Sequence, residues 1–227
     1  SETLIGAEAL LYWRDPVHGL ISPMNFISVA EESGLILPIG EWVISEACRQ
    51  NKKWLDSGRR IVPLAVNLSA RQFYSQTILH TLKQALSQSD LPAHLLCLEV
   101  TESILMDHPQ KAIGILNDIH DMGLSISIDN FGTGYSSLSY LEKFPLDLIH
   151  IDLSFIQDIG KQGYQPIIAN SIIRLSHSMG FKVVAEGVET ELQRDYLSSV
   201  SSLLSFHHYA SQLTYQLPSS LVFLLDH

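Results

Sequence analysis

Apolar runs of strand length alternate with helical stretches along this chain. Six of the runs are rich in β-branched residues and have the length of buried strands. These runs are "GAEALLYW" (6–13), "IVPLAVNLS" (61–69), "HLLCLEVTES" (94–103), "LSISIDN" (124–130), "LDLIHID" (146–152) and "KVVAEGVE" (182–189). Helices are predicted between them at 38–58, 108–123 and 164–180, and each of these stretches ends in glycine, as helices commonly do. The alternation predicts an α/β fold in which helices cover both faces of a parallel sheet.

The composition allows one large folded domain. The chain has 227 residues, of which 46% are hydrophobic, and it contains no repeat, low-complexity tract or linker, so we predict a single domain over residues 1–227. The two cysteines, Cys48 and Cys97, lie in apolar runs and are expected to be buried thiols in a reducing compartment. The sequence has neither a membrane-length apolar run nor the basic start of a signal peptide. We therefore expect a cytoplasmic domain that makes no membrane contact.

The net charge narrows the range of ligands. It is −10 at pH 7, and no run of basic residues offsets it. A surface of this kind does not attract the phosphate backbone of DNA or RNA, so a nucleic-acid polymer is excluded as a partner. A small anionic ligand would need metal ions to offset the repulsion.

Acidic and amide residues recur at the predicted carboxyl ends of the strands. They are Asn67, Glu99, Glu102, Asp129, Asn130, His150, Asp152, Glu186 and Glu189, with one histidine among them. In a (βα)₈ barrel these strand ends meet at one mouth, whereas an open sheet would spread them along a crevice, so the recurrence favours a TIM-like barrel. Crowded carboxylates repel one another unless a cation is present, and oxygen ligands suit Mg²⁺ or Mn²⁺. The residues alone thus predict a metal-binding acid cluster that polarises a phosphoryl group and activates water to attack it. They do not identify the substrate.

Six motifs in order resemble those of one protein family. They are "GAEALLYW", "VNLSARQF", "LEVTES", "IDNFGTGYSSLSYL", "HIDLSF" and "VVAEGVET", and they span residues 5 to about 195. The chain is similar in these motifs to EAL domains, the bacterial cyclic di-GMP phosphodiesterases. The resemblance implies a barrel that binds cyclic di-GMP across its strand ends, where divalent metals and an activated water open one phosphodiester to give the linear dinucleotide. It further implies a homodimer and a place within a larger sensory protein.

The resemblance also assigns roles by motif position. Its implied metal ligands are Glu8, Asn67, Glu99 and Asp129, with Asn130 and Asp152 as further ligands. Its implied catalytic residues are Glu186, His150, Asp152 and Glu102, of which Glu102 either anchors a loop or acts directly. Its implied substrate-binding residues are Glu8, Tyr12, Arg14, Tyr135 and Glu189.

Three of these positions depart from the family's pattern. Asn130 stands where the family has a second Asp, and an amide brings no charge to a second metal. His150 stands where the family has Lys, and with an ordinary pKa of about 6.5 it is expected to be largely neutral at pH 7. Tyr12 replaces an Arg that can grip a phosphate, although Arg14 lies on the same face of the strand and is a partial substitute.

Both ends of the chain also depart from the family. The family's N-terminal strand, with its Tyr-Gln-Pro run, has no counterpart before Glu8, so the barrel is expected to lack it, and residues 196–227 are atypical. Three hypotheses follow: a cyclic di-GMP phosphodiesterase, intact or impaired; a degenerate EAL domain that only binds cyclic di-GMP; and a domain that acts through protein contacts.

Overall fold

A computed structural model describes residues 5–59, 61–134 and 138–201, together with the backbone of two strands at 204–207 and 220–225. The chain forms two compact units. The first unit comprises Ser1–Leu98, Asp118–Ser125 and Pro218–His227, and the second unit comprises Glu99–Asn117 and Ile126–Leu217. The prediction of one domain over residues 1–227 stays a prediction.

The first unit is built around a long first strand. Its elements are β1 (Ala7–Asp15), β2 (Gly19–Ile21), α1 (Ile27–Ser33), α2 (Ile36–Asp56), β3 (Leu64–Asn67), α3 (Ala70–Phe73), α4 (Ile78–Ser89) and β9 (Ser220–Leu225). Strand β1 pairs in parallel with β3 and with β9, and its last residues pair antiparallel with β2. Since Glu8 and Ala9 pair with both β3 and β9, these two strands lie on opposite edges of β1. The partner of β1 on the edge away from β3 is therefore a strand from the C-terminal segment.

The second unit contains the remaining strands. Two strands and one helix begin in one unit and end in the other: β4 (Leu96–Thr101), α6 (Pro109–Asp121) and β5 (Ser125–Phe131). The elements wholly within the second unit are α5 (Glu102–Asp107), α7 (Leu138–Leu141), β6 (Leu148–Ile151), α8 (Ile167–Ser178), β7 (Lys182–Glu186), α9 (Glu191–Val200) and β8 (Leu204–His207). Strands β5, β6, β7 and β8 pair in parallel in that order, so their carboxyl ends lie at one edge.

Burial explains why these segments form strands. Ile126, Ile128, Ile149, Ile151 and Val183 are fully buried. Their branched side chains fit a pleated surface that is covered on both faces, which is the pattern expected for a parallel sheet.

The six predicted strands correspond to β1, β3, β4, β5, β6 and β7, and the three predicted helices correspond to α2, α6 and α8. Both cysteines are buried, as predicted, and burial raises the pKa of the Cys48 thiol to about 12. Within the described part of the chain, no helix combines the length and the apolar character needed to cross a bilayer.

Candidate metal and catalytic site

The end of β5 is shaped by an irregularity in its pairing with β6. The register shifts between Ile128 and Phe131, so Asp129 and Asn130 lie in a bulge. Asn130 has a φ of +54°, a left-handed conformation that Asn tolerates better than most residues. Its backbone N–H donates to Oδ1 of Asp129 at 2.6 Å, and its side-chain Nδ2 donates to Oδ2 at 3.0 Å. The amide of Asn130 therefore holds the Asp129 carboxylate in place.

The next two strands bring a histidine and a glutamate together. His150 on β6 pairs in register with Val184 on β7, and Glu186 lies two residues beyond Val184. Because side chains alternate along a strand, His150 and Glu186 project from the same face. Nδ1 of His150 lies 3.1 Å from Oε1 of Glu186. The alternation of side chains along β6 and β7 thus puts His150 and Glu186 on one face, and the pairing of the two strands brings these side chains close together.

Glu99, at the middle of β4, completes a four-residue cluster. It is only 3% exposed, and its Oε1 lies 3.1 Å from Nδ1 of His150. One ligand atom each from Glu99, Asp129, His150 and Glu186 lies within 4.8 Å of every other. We call these four residues the acid–histidine cluster. It lies wholly within the second unit.

The charge of His150 differs from the prediction made from its sequence. Burial of the ring is the largest influence on its pKa, and it favours the neutral form. The carboxylates of Glu99, Glu186 and Asp129 act in the opposite direction and together raise the pKa of the imidazole to about 9. The prediction of a largely neutral side chain at pH 7 is therefore wrong for the metal-free protein, because three acidic neighbours stabilise the imidazolium.

Glu102, at the start of α5, holds the glycine turn that follows β5. It is 2% exposed, and its Oε2 accepts a hydrogen bond from the backbone N–H of Gly132 at 2.8 Å. A Cβ added to Gly134 would lie 2.7 Å from Oε1 of Glu102. A side chain at position 134 would therefore have to displace the Glu102 carboxylate. The hydrogen bond to Gly132 is a contact of the kind expected of a loop anchor, and the direct catalytic role of Glu102 stays a prediction.

Two other predicted site residues of the second unit lie outside the cluster. Asp152 is half-buried, and its Oδ1 accepts from the backbone N–H of Ser154 at 2.8 Å, where it caps a short 3₁₀ helix. Glu189 is exposed, and its backbone N–H donates to the side chain of Gln193 at 2.8 Å. The metal, catalytic and substrate roles of these two residues stay predictions.

Four of the remaining predicted residues belong to the first unit. Glu8 on β1 is half-buried, and its Oε1 accepts from Nδ2 of Asn67 at 2.7 Å, so the structure brings these two predicted metal ligands together. Tyr12 is half-buried and Arg14 is exposed, both farther along β1. Tyr135 lies outside the described residues. The metal and substrate roles of these residues stay predictions.

The chemistry of the acid–histidine cluster fits a divalent cation. Three carboxylates offer hard oxygen donors, and the imidazole offers a nitrogen donor when it is neutral. Glu99 is buried and Asp129 and Glu186 are half-buried, and carboxylates so close together repel one another unless positive charge lies among them. His150 supplies part of that charge in the metal-free protein, and a metal ion can supply it in its place. All four residues were predicted from the sequence as site residues, but His150 was interpreted as a replacement for a catalytic cation and not as a metal ligand. The position of His150 among acidic strand ends was the sequence feature that could have indicated a ligand.

Comparison with known proteins agrees with this chemistry. The model of the EAL domain family matches residues 1–202. The bifunctional diguanylate cyclase/cyclic di-GMP phosphodiesterase MucR of Pseudomonas aeruginosa is 46% identical over 196 residues, which are 86% of this chain and 28% of that protein. The cyclic di-GMP phosphodiesterase PdeR of Escherichia coli is 42% identical over 191 residues, or 84% of this chain and 29% of that protein. The chain thus spans little more than a quarter of the length of these relatives.

Solved structures show the same fold. The PaMucR phosphodiesterase in complex with c-di-GMP has a TM-score of 0.83 at 45% identity, covering 87% of this chain and 80% of that one. The FimX EAL domain from Pseudomonas aeruginosa, bound to c-di-GMP, has a TM-score of 0.83 over 93% of this chain and 84% of that one, and at 22% identity this likeness shows the fold alone. The predicted fold class, an α/β fold of the TIM-like barrel type, is confirmed. The chain belongs to the EAL domain family, whose named members include cyclic di-GMP phosphodiesterases.

Proposed function

We propose that this chain is a metal-dependent cyclic di-GMP phosphodiesterase domain that hydrolyses cyclic di-GMP to the linear dinucleotide at a reduced rate. The observation that carries the proposal is the acid–histidine cluster, in which three acidic side chains and one histidine gather within 4.8 Å at the strand ends of an EAL domain. Relatives with this activity in their names support the substrate.

The cluster supplies the parts that phosphodiester hydrolysis needs. Glu99 and Asp129 would hold the ion, for which we propose Mg²⁺ or Mn²⁺ because most of the donors are carboxylate oxygens. A divalent ion held there would supply Lewis-acid chemistry, in that it would polarise the phosphoryl group and lower the pKa of water beside it. Glu186, whose carboxylate faces the same cluster, would be a further ligand of the ion and would orient the water beside it. Glu102 keeps the neighbouring turn in position through its hydrogen bond to Gly132.

The reduced rate follows from Asn130. Its amide carries no charge, and its Nδ2 is turned towards Asp129 in a hydrogen bond of 3.0 Å. A second ion at this end of β5 would therefore lack a charged ligand. Loss of one electrostatic contact to the transition state costs about 2–4 kcal/mol, which slows a reaction by tens- to thousands-fold. Substrate binding should suffer less, because contacts in the ground state are spread over the whole dinucleotide.

A second function is supported by the same residue. Asn130 donates hydrogen bonds from its backbone N–H and its Nδ2 to the Asp129 carboxylate, and its amide brings no charge to a second ion, which hydrolysis would need. A domain of this kind would bind cyclic di-GMP as a receptor without hydrolysing it. The two functions differ in turnover and not in affinity.

The decisive experiment combines a reversion with a matched control. The Asn130→Asp, His150→Lys double variant restores the residues expected from the family at both positions. The Asn117→Asp, His120→Lys variant makes the same two chemical changes at exposed positions of α6. We expect slow hydrolysis by the native chain with Mn²⁺, a gain of about tenfold to a thousandfold in the first variant, and no gain in the second.

Other outcomes separate the alternatives. Calorimetric binding of cyclic di-GMP without any turnover in the native chain supports the receptor. Native turnover that the double reversion does not improve contradicts the proposed impairment. If neither form binds cyclic di-GMP, the nucleotide functions are both wrong, and the hypothesis of a protein-contact domain takes their place.

The parent protein, the oligomeric state and the cellular location of this chain are also proposals. Because relatives are several times longer than this chain, we propose that it acts within a larger sensory protein. We further propose a homodimer and a cytoplasmic location, in keeping with the resemblance to EAL domains. The net charge of −10 supports the proposal that a nucleic-acid polymer is not a partner.

A further inference from the structure

The acid–histidine cluster contains one donor that an all-oxygen site does not have. Nδ1 of His150 lies 3.1 Å from Oε1 of Glu99 and also 3.1 Å from Oε1 of Glu186. A single N–H hydrogen is shared between these two oxygens or is donated to one of them. An ion between the three side chains would instead contact all three of their donor atoms at once.

The distances match neighbouring ligands of one ion. For metal–ligand bonds of about 2.1 Å, adjacent donors in an octahedral site lie about 3.0 Å apart and opposite donors about 4.2 Å apart. The two 3.1 Å distances at Nδ1 correspond to adjacent donors, and the spread of 4.8 Å across the whole cluster is only slightly more than an opposite pair requires. Nδ1 of His150 can therefore reach an ion that lies between these donors without a change of fold.

The chemistry of the side chain decides which ions benefit. A lysine ammonium has no lone pair to give to a metal, whereas a neutral imidazole does. Imidazole nitrogen favours first-row transition ions, while Mg²⁺ prefers oxygen donors and gives up its water reluctantly. A lysine ammonium at this position would compete with the metal ion for the carboxylates, whereas a neutral histidine would bind the ion directly.

We infer that the divalent ion of this site takes a nitrogen ligand from His150, and that the site therefore selects transition ions such as Mn²⁺ and Co²⁺ over Mg²⁺. The inference deepens the proposed metal dependence and rests on it. It assigns His150 as a selectivity-determining ligand of this chain, in addition to the carboxylate ligands of Glu99, Asp129 and Glu186.

The first test is spectroscopic and uses no substrate. The full chain, without a polyhistidine tag and stripped with a chelator, is loaded with Mn²⁺ and examined by pulsed electron paramagnetic resonance. We expect ¹⁴N coupling from a directly bound imidazole in the native protein. The coupling should vanish in His150→Gln, which keeps a neutral side chain with an oxygen donor, and persist in His177→Gln, which changes a half-buried histidine of α8 outside the cluster.

The second test measures selectivity. Calorimetry gives the ratio of the Mg²⁺ and Co²⁺ dissociation constants for each protein, which isolates the nitrogen ligand from a general change in affinity. We expect this ratio to fall by about tenfold or more in His150→Gln, and to stay unchanged in His177→Gln. Since His150→Lys removes the ligand and adds a charge, it should bind both ions more weakly and should also lose the ¹⁴N coupling.

Each failure has a distinct meaning. Metal binding without ¹⁴N coupling in the native chain overturns this inference and leaves the proposed hydrolysis intact. An unchanged selectivity ratio in a folded His150→Gln protein overturns it as well. If that variant does not fold, the native spectrum alone still decides. Failure of the native chain to bind any divalent ion overturns both this inference and the proposed function.

Discussion

Raising the pH from about 6.5 to 9 should destabilise the metal-free chain through His150. In the native protein the pKa of this imidazole is about 9, and in the unfolded chain it is about 6.5. Below pH 6.5 the imidazole is protonated in both states, and its favourable contacts with Glu99, Glu186 and Asp129 contribute fully to stability. As the pH rises through about 9 the native imidazole loses its proton, and the contribution is lost.

The size of the effect follows from the two pKa values. They are about 2.5 pH units apart, and each unit in this interval is worth about 1.4 kcal/mol in the free energy of unfolding. The free energy of unfolding should therefore fall by about 3 kcal/mol between pH 6.5 and pH 9. The sign follows because the native state binds more protons than the unfolded state throughout this range.

Urea denaturation at pH 6, 7, 8, 9 and 10, in the presence of a chelator, measures the effect. His150→Gln serves as the reference, because titrating groups outside the acid–histidine cluster are shared by the two proteins and cancel in the comparison. We expect the free energy difference between the native chain and His150→Gln to shift by about 3 kcal/mol across the interval. Parallel pH profiles for the two proteins would refute the reasoning and would show that the acidic neighbours do not hold the proton.

Two further predictions concern close packing and a buried amide. Gly134→Ala should displace the Glu102 carboxylate, whose Oε1 lies 2.7 Å from the added Cβ, and should lower cyclic di-GMP turnover by about tenfold to a hundredfold. Gly114→Ala is the control and should leave turnover unchanged, because the space around its added Cβ is open. Equal turnover in the two variants would contradict this prediction. Asn51→Ala should lower the free energy of unfolding by about 1–3 kcal/mol in urea denaturation, because the buried Nδ2 of Asn51 donates to the carbonyl of Leu95 at 2.9 Å, and a negligible change would show that the bond contributes nothing net.

The strands were predictable because their sequence pattern and their burial have the same cause. Ile126 and Ile128, for example, are fully buried, and they lie in an apolar run whose length and β-branched residues predict a buried strand. Short or unusual strands were not predicted. Strand β2 (Gly19–Ile21) has three residues and carries no periodic signal, and β9 (Ser220–Leu225) lies in a segment that resembles no family motif. Strand β2 pairs with the nearby end of β1 across a short turn, but it is too short to give a periodic signal. The pairing of β9 with β1 joins segments far apart in the sequence, which local patterns do not encode.

The candidate site was predictable in its members but not in its charges. Glu99, Asp129 and Glu186 follow from their places at strand ends, and the structure brings their carboxylates together. The pKa of His150 could not be predicted, because it depends on the distances to three acids on three other strands. The left-handed backbone of Asn130 was likewise hidden, since its φ of +54° arises from a bulge in the pairing of β5 with β6.

The two departures at Asn130 and His150 compensate each other in charge once His150 is considered as a ligand. An Asp and a Lys at these positions, as the family resemblance implies, carry −1 and +1 and add nothing to the net charge of the site. Asn130 and a neutral, metal-bound His150 also add nothing. A single reversion at either position would change the net charge by one unit among three closely spaced carboxylates, of which Glu99 is buried, and an unbalanced charge there is costly. The pair therefore acts as one unit, and only the double reversion changes the chemistry of the site while it preserves the balance of charge that Glu99, Asp129 and Glu186 require.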